Sequence, residues 1–219
     1  MPASSADELV IHGDAFWISP YFFTAFIAAK EKGIPFQVKE VALQRKEHRE
    51  ADYLAKSITG RVPALRHGDF WLAESNVMAE YIDEAFSAPG RPRLFPEDVR
   101  ERARARQLMA WIRSDLMPVR EERSTFTMFY ERAQKPLSEK GREAAAALIR
   151  AAEAVIPEGR TTLFREWSIA DADLGFVLHR LLLNGDEVPK RVRAYAEAQW
   201  QRPSVREFVD RKRPPYEAY

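Results

Sequence analysis

A short stretch of turn-forming residues at positions 87–93 divides this 219-residue chain into two parts with different patterns. Before it, short apolar runs alternate with helical stretches. After it, the periodic stretches have helical spacing and no segment is typical of a strand. The sequence therefore predicts two domains, residues 1–88 and 97–219, joined by a linker at 89–96.

The first domain begins with an apolar run at 9–12, closed by Gly13 and Asp14, which predicts a buried strand followed by a turn. A helix should follow. Ser19 is a natural N-cap and Pro20 suits the first helical position, because proline's missing N–H is not needed there.

Strands at 37–41, 61–67 and 70–72 are predicted next, with a charged segment at 45–56 before the last two and a helix starting at Ser75 after them. The predicted order in the first domain is β-α-β-α-β-β-α, and the second domain is predicted to be all helical.

Composition excludes several classes of function. Lys and Arg number 34 against 33 Asp and Glu, so no overall field would attract nucleic acid or an acidic membrane. The chain has no cysteine, which excludes disulfides and a protein thiol as nucleophile and fits a reducing, cytoplasmic compartment. The longest uncharged run, 15–29, is too short for a membrane helix, and residues 1–10 do not resemble a secretory signal. His12 and His67 lack ligand partners at useful spacing, so no metal is expected.

Three short sequence motifs in the first domain resemble those of a single protein family. They are Trp17-Ile-Ser19-Pro20-Tyr21, Arg61-Val62-Pro63-Ala64-Leu65 and Glu74-Ser75-Asn76. Their order and spacing resemble the glutathione S-transferase family of the cytosolic type. The first resembles the Ser-Pro element of tau-type enzymes, the second the Val-Pro-x-Leu segment with its cis proline, and the third the Glu-Ser element that binds the γ-glutamyl end of glutathione.

The likeness continues beyond the linker. Residues 168–171 resemble the capping box of the family and residues 200–205 its final helix. Residues 111–122 and 184–189 are similar to the bacterial YfcF-type transferases.

The resemblance implies an α/β plus all-α protein, with a thioredoxin-like glutathione-binding domain followed by a helical domain that forms a hydrophobic substrate site. It implies an enzyme, a glutathione transferase that uses glutathione as co-substrate against an electrophilic, largely apolar molecule, or reduces a peroxide with it. It also implies a homodimer. Ser19 would activate the thiol, and the residues implied to bind glutathione are Ser19, Arg61, Val62, Pro63, Glu74 and Ser75.

Three of these residues also have a simpler explanation. Ser19 and Ser75 can act as helix caps alone, and Pro63 can simply end a strand edge. Four aromatic residues are candidates for the hydrophobic substrate site, although each is more readily explained by core packing: Phe16, Trp17, Trp111 and Phe129. A non-catalytic binding or interaction module with the same fold is the alternative to an enzyme.

Overall fold

The computed structural model describes residues 8–219. The sequence predicts no secretory signal in residues 1–10, and residues 1–7 of that segment lie outside the described residues. The described residues fall into two compact units: residues up to 94 together with 210–219, and residues 95–209. The sequence placed residues 210–219 in the helical domain, whereas the structure groups them with the first unit.

The first unit contains a sheet of four strands within the described residues, in the spatial order β2-β1-β3-β4. β1 pairs in parallel with β2 and antiparallel with β3, and β3 pairs antiparallel with β4. The strands are β1 (Leu9–Asp14), β2 (Gln37–Val41), β3 (Ala64–His67) and β4 (Phe70–Ala73). β1 continues through Gly13 and Asp14, where a turn was predicted, because both residues pair with β2.

Two longer helices of this unit pack against each other, α1 (Pro20–Lys32) and α3 (Ser75–Ala85). Between β2 and β3, the charged segment forms two single 3₁₀ turns and α2 (Ala51–Leu54). The predicted order β-α-β-α-β-β-α is confirmed, with a short second helix. This arrangement is a thioredoxin-like fold.

The predicted start and end of α1 are confirmed. Pro20 is its first residue, and Gly33 ends it in the left-handed conformation at φ 67°. Glycine adopts this conformation without the steric cost that a Cβ imposes, so the end of the helix is fixed locally.

A buried ion pair holds α1 against α3. Lys32 Nζ lies 2.7 Å from Asp83 Oδ1 and 2.9 Å from the carbonyl oxygen of the same residue, and both side chains are almost wholly buried. Asp83 Oδ1 also accepts from the Leu94 N–H at 2.9 Å, so it joins the end of this unit to the helix pair.

Close packing holds α1 on β1. A Cβ built on Gly13 would come within 2.4 Å of the Phe22 ring, and Phe22 has no exposed surface. The absence of a side chain at position 13 therefore sets how closely the start of α1 approaches the strand.

The second unit is helical, as predicted. Its helices are α4 (Val99–Ser114), α5 (Met117–Glu122), α6 (Thr125–Phe129), α7 (Glu139–Val155), α8 (Ile169–Leu182), α9 (Lys190–Trp200) and α10 (Pro203–Val209). Helix α8 is its buried centre and contacts α4, α6, α7 and α9. The predicted capping box is present: the carboxylate of Asp171 accepts from the Ser168 N–H at 2.8 Å and, inside the unit, from the Tyr195 hydroxyl at 2.9 Å.

Candidate functional site

Ser19 lies at the N-cap of α1, with its backbone extended at φ −64° and ψ 122°. Its Oγ accepts a hydrogen bond from the Phe22 N–H at 3.2 Å. A hydroxyl that accepts such a bond keeps its own hydrogen available for donation. Capping and donation to a ligand sulfur are therefore compatible at this residue, and the choice between them posed by the sequence does not arise.

The loop before Ser19 is organised around Asp14, the last residue of β1, whose carboxylate has no exposed surface. Oδ1 accepts from the N–H groups of Phe16 and Ile18 at 3.1 and 3.2 Å, and Oδ2 accepts from the Ser19 N–H at 2.9 Å. Burial raises the pKa of Asp14, and these three hydrogen bonds oppose that rise. Asp14 thus fixes the backbone that carries Ser19.

Asp14 was missed as a site residue by sequence reasoning. It was interpreted only as part of a turn after the strand. The available signal was an acidic side chain two positions after an apolar run and five positions before a capping serine. A carboxylate there can accept from several successive N–H groups, as aspartates do in turns.

The second element is the Val62–Pro63 peptide bond, which is cis, as the resemblance implied. Residue 62 lies just before β3. Among residues 8–219, its backbone N–H and C=O make no hydrogen bond. Both groups are thus available to an extended peptide. Arg61 is exposed, and its carbonyl oxygen accepts from the Tyr53 hydroxyl at 2.8 Å, which fixes this loop over α2.

The third element is the start of α3. Glu74 occupies the N-cap with φ 69°, a left-handed conformation that is strained for a residue with a Cβ, and its side chain is exposed. Ser75, predicted to open the helix, is its first residue and is buried. An exposed carboxylate beside a helix N-terminus can pair with an ammonium group while the N–H groups of the first turn face a carboxylate.

The four aromatic candidates lie in different surroundings. Phe16 and Trp17 are each only 2% exposed and pack within the first unit, so they have little ring surface to offer a substrate. Trp111 on α4 and Phe129 on α6 are partly exposed and belong to the second unit, where Phe129 packs against Phe176 with ring centroids 6.2 Å apart. Core packing therefore accounts for the first two, while the last two retain accessible ring surface.

The first unit also contains a cavity of about 480 Å³. Its aromatic walls are His12, Tyr53 and Trp71, and Val41 with charged residues of β2 and the 47–56 segment completes it. None of the residues predicted to bind glutathione lines it. Burial and the neighbouring cations Lys39, Arg66 and Lys56 lower the pKa of His12 to about 4, so the imidazole is neutral at physiological pH. Within residues 8–219, no group of histidine and carboxylate side chains could hold a metal ion.

The first unit is thioredoxin-like and carries a helix-capping serine, a cis Val-Pro bond and a Glu-Ser pair at a helix start. The second unit is all helical. This is the architecture of the cytosolic glutathione transferases. Two sequence profiles agree with it. Residues 18–85 match the N-terminal domain of glutathione S-transferase and residues 98–212 match its C-terminal domain. The chain belongs to the glutathione S-transferase family.

Individual relatives support this assignment. The chain is 36% identical over 112 residues to glutathione S-transferase U10 of Arabidopsis thaliana, which is 51% of this chain and 46% of that protein. It is 31% identical over 86 residues to human glutathione S-transferase theta-2, which is 39% of this chain and 34% of that protein. The chain therefore spans less than half the length of these curated relatives.

Solved structures match over more of the chain. A glutathione transferase homolog from Burkholderia, solved with bound glutathione, is 37% identical with a TM-score of 0.77 and covers 93% of this chain and 97% of its own. Glutathione transferase Omega 3C from Trametes versicolor is 28% identical with a TM-score of 0.71. The match covers 94% of this chain and 91% of the Trametes chain. Among the described residues, no helix is long and apolar enough to cross a membrane.

Proposed function

We propose that the protein is a glutathione transferase that binds glutathione on its first unit and uses the Ser19 hydroxyl to stabilise the thiolate. The observation that carries this proposal is the state of Ser19. Its Oγ is fixed by the Phe22 N–H and its backbone by Asp14, so the hydroxyl hydrogen can be directed at a ligand without further reorganisation.

The chemical task is ionisation of a thiol. A free thiol has a pKa of about 8.5, and each unit by which a protein lowers it takes about 1.36 kcal/mol of preferential stabilisation of the thiolate. A hydrogen bond from Ser19 and the positive end of the α1 dipole both favour the anion. The thiolate then attacks the electrophilic atom of the second substrate, and the leaving group departs with the bonding electron pair.

Two other elements would bind the rest of the tripeptide. The unpaired N–H and C=O of Val62 next to Pro63 suit the cysteinyl backbone, as in addition of a strand to a sheet edge. Glu74 suits the γ-glutamyl ammonium, and Ser75 with the first turn of α3 suits its carboxylate. Arg61, exposed beside Val62, suits the glycyl carboxylate. Trp111 and Phe129 are our candidates for contact with the apolar second substrate.

The same activated sulfur can attack an aryl halide or a hydroperoxide, so conjugation and peroxide reduction are both part of the proposal. The homologous Burkholderia structure with bound glutathione supports glutathione as the co-substrate. We also propose a homodimer in the cytoplasm. Size-exclusion chromatography with light scattering tests the dimer, and a monomer at working concentration would contradict it.

The function is tested by comparing two capping serines. Ser19→Ala and Ser138→Ala each remove a serine whose Oγ accepts from the first turn of a helix, at 3.2 Å in α1 and 3.1 Å in α7. Calorimetry measures glutathione binding, ultraviolet absorbance of the bound thiolate gives the pKa of its thiol, and turnover is measured with an aryl halide and a hydroperoxide. We expect binding by the wild type, and loss of turnover with a raised thiol pKa in Ser19→Ala alone.

Two results would contradict the proposal. If the wild-type chain does not bind glutathione, the non-catalytic alternative replaces the enzyme. If Ser19→Ala retains the turnover and thiol pKa of the wild type, Ser19 only caps the helix and another group activates the sulfur.

A further inference from the structure

The C-terminal segment, residues 210–219, lies against the loop that leads to Ser19. The guanidinium of Arg213 donates two hydrogen bonds to the carbonyl oxygen of Trp17, from Nε at 3.2 Å and from Nη2 at 3.0 Å. Its third nitrogen, Nη1, donates to the carbonyl oxygen of Arg211 at 3.0 Å. The planar guanidinium therefore joins its own segment to a carbonyl two residues before the candidate catalytic serine.

Trp17 has an unfavourable backbone conformation that requires such support. Its φ of 56° lies in the left-handed region, which is strained for a bulky residue and persists only where the surroundings fix it. Its N–H donates to the Asp14 carbonyl oxygen at 3.1 Å, and its indole Nε1 donates to Glu40 at 2.7 Å. With Arg213 on its carbonyl, Trp17 is held through all three of its polar groups.

Other side chains of the segment contact the same loop. The Arg211 guanidinium lies 3.8 Å from the centre of the Trp17 indole and 3.7 Å from Glu40, which also accepts from that indole. Tyr216 and Tyr219 pack against Phe16, with ring centroids 5.2 and 6.1 Å away.

The loop is thus held on two sides. Asp14 fixes the N–H groups of Phe16, Ile18 and Ser19 from within the unit. Arg213 fixes the carbonyl of Trp17 between them. Rotation of the Trp17–Ile18 peptide would break the Arg213 bonds and move the Ile18 N–H away from Asp14, so the two anchors support one conformation.

We propose that Arg213 is a positioning residue, which places the Ser19 hydroxyl by holding the Trp17 carbonyl from the C-terminal segment. This inference rests on the proposed function for its catalytic consequence. The loop conformation can be measured independently of glutathione.

The experiment compares Arg213→Ala with Lys212→Ala in the full chain. Both variants remove one positive charge from the segment, but Lys212 is exposed and takes part in none of the contacts above. Arg213→Lys retains the charge and one donor group. Hydrogen exchange of the amides of residues 16–19 reports on the loop, and kcat, KM for glutathione and the pKa of the bound thiol report on the site.

In Arg213→Ala we expect faster exchange at Phe16, Ile18 and Ser19, a fall in kcat of about tenfold or more with a smaller change in KM, and a raised thiol pKa. Lys212→Ala should match the wild type, and Arg213→Lys should fall between the wild type and Arg213→Ala. A purely stabilising role would not move the thiol pKa of the folded protein.

The outcomes separate this inference from the proposed function. If the wild type does not bind glutathione, the proposed function fails. The loop can still be tested in that case: if its amides exchange at the same rate in Arg213→Ala and Lys212→Ala, Arg213 does not anchor it. If the wild type ionises glutathione, equal kinetics in these two variants overturn the positioning role. Faster exchange without a change in kcat or thiol pKa overturns it as well, because Arg213 would then only stabilise the loop.

Discussion

The Ser19 N–H donates a 2.9 Å hydrogen bond to Oδ2 of Asp14, a carboxylate buried at the end of the central strand β1. Capping at Oγ and anchoring at the N–H leave Ser19 little freedom before any ligand arrives. Two anchors of different types thus act on one residue, and either can be removed by a single substitution.

Asp14→Asn should loosen this anchor. The amide retains one acceptor oxygen but places an NH₂ group opposite one of the N–H donors, so at least one hydrogen bond is lost at a cost of about 1–3 kcal/mol. Unfolding in urea measures the stability, and turnover with glutathione should fall further than stability alone accounts for. Asp69→Asn, in an exposed turn, is the control. Equal stability of the two variants would show that the Asp14 bonds contribute nothing.

Glu74→Gln tests recognition of the γ-glutamyl end. Loss of a charge-assisted contact with an ammonium group should raise KM for glutathione roughly tenfold, the equivalent of about 1.4 kcal/mol, with kcat little changed. Glu84→Gln provides a matched control, since Glu84 is exposed on the same helix. A change in kcat alone would instead point to Glu74 acting near the sulfur.

Removing one partner of the buried Lys32–Asp83 ion pair should destabilise the folded protein. Asp83→Ala leaves a buried ammonium without its carboxylate and the Leu94 N–H without its acceptor, and should lower the free energy of unfolding by about 3–5 kcal/mol. Lys32→Met combined with Asp83→Leu removes both charges and should recover much of that loss. If the double variant is as unstable as the single one, the unpaired charge is not the cause.

His12 should make stability depend on pH in weak acid. Its folded-state pKa is lowered from 6.5 to about 4, so between these values the unfolded chain binds more protons than the folded one. Stability therefore rises with pH across this window and is lost as pH falls through it, by roughly 3 kcal/mol for this residue. Burial also lowers the pKa of His179 to about 4, so this residue changes the stability with pH in the same direction.

The test is the slope of stability against pH from 4 to 6.5 in the wild type and in His12→Phe. The variant should have the shallower slope, whatever its absolute stability. Identical slopes would mean that His12 has the same pKa in the folded protein as in the unfolded chain.

Gly13→Ala should destabilise the packing of α1 on β1. The added methyl group would meet the buried Phe22 ring at 2.4 Å, and forced overpacking typically costs about 1–3 kcal/mol. Phe22→Leu in the same chain should relieve part of this cost, so the two substitutions should couple in a double-mutant cycle. Strict additivity would locate the strain elsewhere.

Local signals account for what the sequence predicted well. The start of α1 follows from Ser19 and Pro20, and its end from Gly33, all readable within a few residues. β1 was predicted too short because its last pair, Asp14 with Val41, is set by a partner strand. The helical character of the second domain followed from periodicity.

The candidate site was predicted in part. Ser19, Val62, Glu74 and Ser75 were predicted because they lie in short motifs that resemble those of the family. Their binding roles stay predictions. Arg213 was missed because its contact with Trp17 joins positions 196 residues apart, and nothing in its local sequence indicates that pairing.

The grouping of residues 210–219 with the sheet unit has a consequence for biosynthesis. Domains generally fold from the N-terminus as the ribosome releases them, yet here the loop before Ser19 acquires its Arg213 bonds only after the whole helical unit has been translated. A nascent chain stalled before that point would display the sheet without the finished loop.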